Sequence, residues 1–240
     1  MSRLERQPDP QQSGRRDLDR RQQHPSWRIA AVWLLASAVL IWLVLVAIGH
    51  LLGHQWKDSA LVRWDSSVDR SLAAHRREPW TELTHLATFL AETITVIAVA
   101  LVAFVLLRLA FKRWREPLFL AVSVIGEVTI FVSTTLLVDR DRPPVRHLDS
   151  APPTSSFPSG HTAASVALYG GLAVLAWRAG AMVWLRTLAT AAAVLVPVVV
   201  ALSRMYRGMH YPTDVIAGAL LACCWLAVTS AVVLGRRRPT

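Results

Sequence analysis

Six long apolar runs, at 29–48, 89–107, 117–138, 162–177, 182–202 and 215–234, constrain this 240-residue chain more than any other feature. A helix that crosses a bilayer needs about 20 mostly apolar residues; five runs reach that length comfortably and the fourth is short. The expected fold is therefore all-α, a polytopic membrane bundle of six transmembrane helices. The first run is longer than the 7–15 residues or so of a signal-peptide core, and no small-x-small cleavage site follows it in 49–56, so it reads as a retained helix.

A net charge of +10 in a soluble chain would point to nucleic acid. Here the positive-inside rule absorbs it, and no nucleic-acid partner is expected. With six spans and the N-terminus in the cytoplasm, 16 of the 26 Lys and Arg fall on the inner side and ten on the outer. Both termini are thus expected inside. Trp27, Trp114, Trp177 and Trp184 sit beside the inner ends of the runs, where aromatic belts form. Cys223 and Cys224 are adjacent within the sixth run and read as small apolar fillers, with no disulfide expected.

Residues 1–26 are rich in Arg, Gln, Asp and Pro and have no apolar period, so they are expected to form a disordered basic cytoplasmic tail before a single membrane domain, 27–240. In the external connection 49–88, Leu61, Trp64, Val68 and Leu72 recur at helical spacing between Arg63, Asp65, Asp69 and Arg70. That pattern predicts an amphipathic helix on the outer membrane surface, either a plug over the bundle or a lip that guides lipid. The proline-rich connection 139–161 and the short connection 203–214 fall on the same external side.

Those two connections carry three motifs: Arg142-Pro143, Pro158-Ser159-Gly160-His161, and Ser203-Arg204 followed by His210 and Asp214. Two arginines from different loops suit a phosphoryl group, because the planar guanidinium donates bidentate bonds and stays charged. Ser159 and Gly160 open a helix whose N–H groups and dipole favour an anion, with His161 in the first turn. Asp214, four residues after His210, is placed to accept its Nδ1–H and leave Nε2 free to attack phosphorus. His161 would protonate the leaving oxygen and later activate water. No Asp, Glu or His cluster has metal-ligand spacing here, so neither metal nor cofactor is expected.

On these motifs the chain resembles the type 2 phosphatidic acid phosphatase (PAP2) family, the phosphatase branch of the group that also contains vanadium haloperoxidases. The motifs cover about 135–214, and the six-run pattern extends the likeness to roughly 27–238. The resemblance implies a phosphohistidine on His210, His161 as acid, Asp214 as orienter, and Arg142, Arg204, Ser159 and Gly160 holding phosphate on the face away from the cytoplasm. It departs at Thr135, where the family's Lys-x6-Arg-Pro places a lysine. Arg140, or Arg207, is expected to supply that charge.

Glu127 lies inside the third run, where an ionisable group is a functional suspect by default, yet no catalytic role suggests itself. His50, His54, His75, His85 and His147 read as surface imidazoles, and Gly170-Gly171 as a close-packing site. The favoured function is hydrolysis of a membrane lipid phosphate or polyprenyl diphosphate. The alternative, motivated by Thr135 and Glu127, is a catalytically silent lipid-phosphate binder or transporter.

Overall fold

The computed structural model describes residues 27–151 and 153–235. The basic tail 1–26 and the arginines 236–238 that entered the charge count lie outside the described residues. The fold is all-helical. In chain order, α1 is Trp27–His50, followed by a π-helical turn at Leu51–Gln55; α2 is Ala60–Ala74; α3 is Trp80–Phe89; α4 is Thr93–Phe111. Then come α5 (Arg115–Thr135), α6 (Gly160–Arg178), α7 (Val183–Tyr206) and α8 (Pro212–Thr229), closed by a second π-helical turn at Ser230–Leu234.

Among the described residues, five helices are long and apolar enough to cross a membrane: Trp27–Gln55, Thr93–Phe111, Arg115–Thr135, Val183–Tyr206 and Pro212–Leu234. The expected sixth, α6, is not one of them. His161 and Thr162 in its first turn and the glycine pair in its middle dilute its apolarity. It is instead the core of the bundle, packed against α5, α7 and α8, and it buries Ala163, Val166, Ala167, Leu168, Gly171 and Leu175. Small residues let helix backbones approach closely. At one such contact, a Cβ added to Gly218 of α8 would lie 2.3 Å from the Ser159 carbonyl oxygen, so only glycine fits there. By contrast α1 and α4 leave long apolar rows uncovered, among them Val32, Leu35, Leu40, Ile94, Leu101 and Leu109.

The connection 49–88 forms two helices, where the sequence pattern predicts one. In α2, Ser59 caps the first turn by accepting the Val62 N–H at 3.3 Å. Its orientation is the reverse of a soluble amphipathic helix: Asp65 and Asp69 are buried, while Leu61 and Trp64 face outward. The additional helix, α3, packs on α7 and exposes Trp80, Leu83, Leu86 and Phe89.

Asp69 has both carboxylate oxygens buried without a hydrogen-bond partner among the described residues. Burial, reinforced by the neighbouring Asp214 and Asp65, pushes its carboxyl up to about 8. The folded state therefore holds a proton that the unfolded chain releases above the ordinary carboxylate range, and stability falls as pH rises from about 4 towards 8. Asp69→Asn should raise the thermal unfolding midpoint, with a gain that grows between pH 5 and pH 8. A gain independent of pH would show that Asp69 is not the group taking up the proton.

Candidate active site

The three motifs converge at one end of the bundle because the turns carrying them pack together. Arg207 to Tyr211 link α7 to α8, and the Ser159 N–H donates to the Asp214 carbonyl at 2.9 Å, stapling the start of α6 to the start of α8. Ser203 and Arg204, expected in a connection, lie in the last turn of α7.

His210 is 5% exposed. Its Nδ1 lies 2.7 Å from the Ser156 carbonyl oxygen and 3.9 Å from Asp214 Oδ2. The group that fixes the ring is therefore a loop carbonyl, with Asp214 standing behind it. A carbonyl can only accept, so Nδ1 carries the hydrogen and Nε2 the lone pair. Burial, followed by the charges of Arg204 and Arg142, holds His210 well below the ordinary imidazole value and keeps it neutral.

Asp214 is fully buried and has other duties. One oxygen accepts the Tyr211 N–H at 2.9 Å, and the other accepts Arg140 Nη1. Arg140 also donates from Nη2 to Asp65 at 2.8 Å and from Nη1 to Thr213 Oγ1 at 2.8 Å, with its guanidinium 4.5 Å from the Tyr211 ring centroid. This placement corrects the expectation that Arg140 reaches the phosphate. Its guanidinium is held between two carboxylates, and losing one member of such a buried set costs about 3–5 kcal/mol. Arg207 is equally engaged. It donates to both oxygens of Asp149, to the Leu148 carbonyl and to the Thr81 carbonyl. Neither Arg140 nor Arg207 is thus free to stand in for the family lysine, and the Thr135 hydroxyl turns back to the Val132 carbonyl at 2.9 Å.

Arg142 and Arg204 behave differently. Arg142 anchors one nitrogen on the Met209 carbonyl at 2.8 Å, and Arg204 anchors Nη1 on Asp149 at 2.7 Å. In both, Nε is buried and has no partner among the described residues. Burial draws Arg142 below its usual value, opposed by the charge of Asp214. The charges of both guanidinium groups reach His161 and His210, which gathers the four side chains into one electrostatic neighbourhood. An open groove of about 480 Å³ leads to Arg142 past Thr135, Leu136 and Ser155.

Ser159 occupies the N-cap position of α6, but its hydroxyl pairs with that of Thr162 at 3.0 Å and does not cap the helix. The first turn is thereby left without a side-chain cap, which suits an anion at its N–H groups. A Cβ on Gly160 would lie 2.5 Å from the tip of the Phe131 ring, so a side-chain contact also requires this glycine.

Sequence reasoning missed Asp65, Asp149, Ser156 and Thr213. Asp65 and Asp69, four apart on a helix, were an available signal; Asp149 and Ser156 lie in irregular loop and had none. Among the described residues no group of three or more His, Cys, Asp or Glu side chains is placed to hold a metal ion.

A sequence profile described as PAP2 superfamily matches residues 116–238. The undecaprenyl-diphosphatase of Sulfolobus acidocaldarius is 32% identical over 130 residues, which are 52% of this chain and 58% of the relative. The chain thus spans about three fifths of that relative's length. The putative undecaprenyl-diphosphatase YbjG of Escherichia coli is 30% identical over 148 residues, 59% of this chain and 68% of the relative. The crystal structure of the PAP2 type phosphatidylglycerolphosphate phosphatase of Bacillus subtilis superposes with a TM-score of 0.68 at 19% identity, over 85% of this chain and 97% of that one. LpxE of Aquifex aeolicus superposes with a TM-score of 0.53 at 20% identity, over 68% and 92% of the two chains. By profile, relatives and fold together, the chain belongs to the PAP2 superfamily.

Proposed function

We propose that the chain is an integral membrane phosphatase that hydrolyses a lipid phosphate or polyprenyl diphosphate at the outer membrane face, without a metal, through a phosphohistidine on His210. The observation that carries this reading is the pair of buried Nε donors on Arg142 and Arg204, unpartnered among the described residues, on arginines whose charges reach both imidazoles. Buried donors of that kind call for an anion, and a phosphoryl group between them would lie next to a neutral nitrogen nucleophile.

The chemistry follows from those positions. His210 Nε2 attacks phosphorus and the bond from phosphorus to the lipid oxygen breaks; His161, which takes up a proton once the bound anion offsets the charges of Arg142 and Arg204, delivers it to that oxygen. Water then attacks the phosphohistidine while His161 takes a proton back, and inorganic phosphate leaves. Arg142 and Arg204, with the N–H groups at the start of α6, meet charge on the equatorial oxygens. A polyprenyl diphosphate is the leading substrate class, as named for the Sulfolobus and Escherichia relatives, with phosphatidate and phosphatidylglycerol phosphate behind it. We count α6 as the sixth span, shielded from lipid by α5, α7 and α8, with both termini inside. The competing reading, a silent lipid-phosphate binder, has Thr135 in its favour.

Purified protein should release phosphate from undecaprenyl diphosphate, phosphatidate or phosphatidylglycerol phosphate, and the release should survive EDTA. His210→Ala should abolish it, and His161→Ala should slow it by about 10²–10⁴-fold, least for good leaving groups. Absence of release from all three lipids would favour the binder, and loss with EDTA would remove the metal-free mechanism.

The pH profile gives an independent check. Attack needs unprotonated His210, whose depressed value keeps it neutral as pH falls through the ordinary imidazole range of about 6.5. The acid limb of kcat/KM is expected below that value, and a limb at or above 6.5 would contradict a buried nucleophile.

Orientation can be read from cysteines introduced at Ser150 and Ala179 in a background lacking Cys223 and Cys224. On intact cells an impermeant thiol reagent should label position 150 and spare position 179. The inverse pattern would place the site on the cytoplasmic face.

A further inference from the structure

We infer that Asp65 is a positioning residue for the proposed reaction, fixing the start of α8 through Arg140 and Thr213 and thereby setting the His210 ring. The inference rests on the phosphatase reading above. Asp65 lies on α2, ahead of the 116–238 segment that the family profile matches. It is fully buried, and its side chain hydrogen-bonds to Arg140 and Thr213. It accepts Arg140 Nη2 at 2.8 Å, the Thr213 N–H at 3.1 Å and the Thr213 hydroxyl at 2.5 Å.

Thr213 stands between His210 and Asp214 in the first turn of α8. The Thr213 N–H is one of the groups a helix start leaves without an internal partner, and a carboxylate facing that end is also favoured by the helix dipole. Asp65 therefore caps α8 from a different helix. The chain from 210 to 214 is held at three points: Tyr211 N–H by Asp214, Thr213 by Asp65, and Asp214 itself by Arg140. Tightening these points presents the His210 ring to the Ser156 carbonyl, whose own N–H donates to the Arg140 carbonyl at 2.9 Å. Arg140 thus joins both walls of the imidazole slot, and Asp65 is the second carboxylate that keeps its guanidinium in place.

A residue that only binds phosphate would act on KM and on anion affinity. A residue that aims the nucleophile acts on kcat, since small misplacements of a reacting atom carry large kinetic penalties. Using undecaprenyl diphosphate as substrate and inorganic phosphate as a competing ground-state anion, Asp65→Asn should lower kcat by about 10–100-fold. KM and inhibition by phosphate should stay within about threefold of wild type, because Arg142 and Arg204 are untouched. Asp65→Glu should recover part of the loss. Thr213→Val, which removes only a hydroxyl, should show a smaller fall with the same split, and it covers the case in which Asp65→Asn does not fold. Parallel loss of kcat and phosphate affinity, or full activity in Asp65→Asn, would overturn the inference and leave the phosphatase reading intact. If wild type releases no phosphate, the phosphatase reading fails. The ring ¹⁵N signals of His210 then decide: a changed Nδ1 hydrogen bond in Asp65→Asn sustains the positioning role, and unchanged signals sink it.

Discussion

One buried cation with two buried anions, Arg140 between Asp65 and Asp214, ties α2, the loop after α5 and the start of α8 together. A guanidinium removed from water must find acceptors for its donors, and here they come from α2, from α8 and from the Thr213 hydroxyl. Satisfying that requirement brings the loop after α5 down onto the start of α8 and carries α2 with it. The slot for His210, between Ser156 and Asp214, is a by-product of the same closure. Without this ion set the prolines of 143–158 would constrain the loop's local shape but not its place on the bundle.

The site contains two kinds of arginine. Arg140 and Arg207 are closed, with their donors matched by protein carboxylates and carbonyls. Arg142 and Arg204 are half open, each anchored by one nitrogen while Nε lacks a partner. Asp149 bridges the two kinds, since it accepts from both Arg204 and Arg207. Arg207 in turn holds the Thr81 carbonyl of α3, and Ser203 bonds Thr84 and Thr88 of the same helix. The half-open arginines are thus set by closed ones, which is how an anion site stays pre-organised before any anion arrives.

The motif residues could be read from the sequence because each motif is short and its parts meet through local geometry: a helix start, a helix end, a four-residue spacing. What could not be read are the long-range partners. Arg140 reads as a free cation near Arg142 until Asp65, 75 positions earlier, is seen against it. Asp65 itself is visible between the apolar positions of α2, but nothing local names its partner. In water a helix buries Leu61, Trp64, Val68 and Leu72 and exposes its carboxylates; beside lipid the apolar row can face outward, and the carboxylates turn in to meet arginine. The same reversal explains why α6, the least apolar run, lies at the centre of the bundle. It meets other helices, where alanine and glycine pack better than leucine. The second connecting helix, α3, escaped notice because its apolar residues merge with the start of the second run.

The closed ion set also restricts how descendants of this sequence can change. Folded proteins retain a net stability of only about 5–15 kcal/mol. Replacing Arg140 leaves two buried carboxylates unmatched, and replacing Asp65 or Asp214 leaves buried donors without their acceptor, steps that use up a large part of that margin. Substitutions at the three positions are therefore strongly non-additive: a second change is tolerated far better once the first is present than alone. Drift at these sites must proceed by paired replacement or not at all. A lineage that altered position 65 should carry a compensating residue at 140, three helices away in sequence and one hydrogen bond away in space.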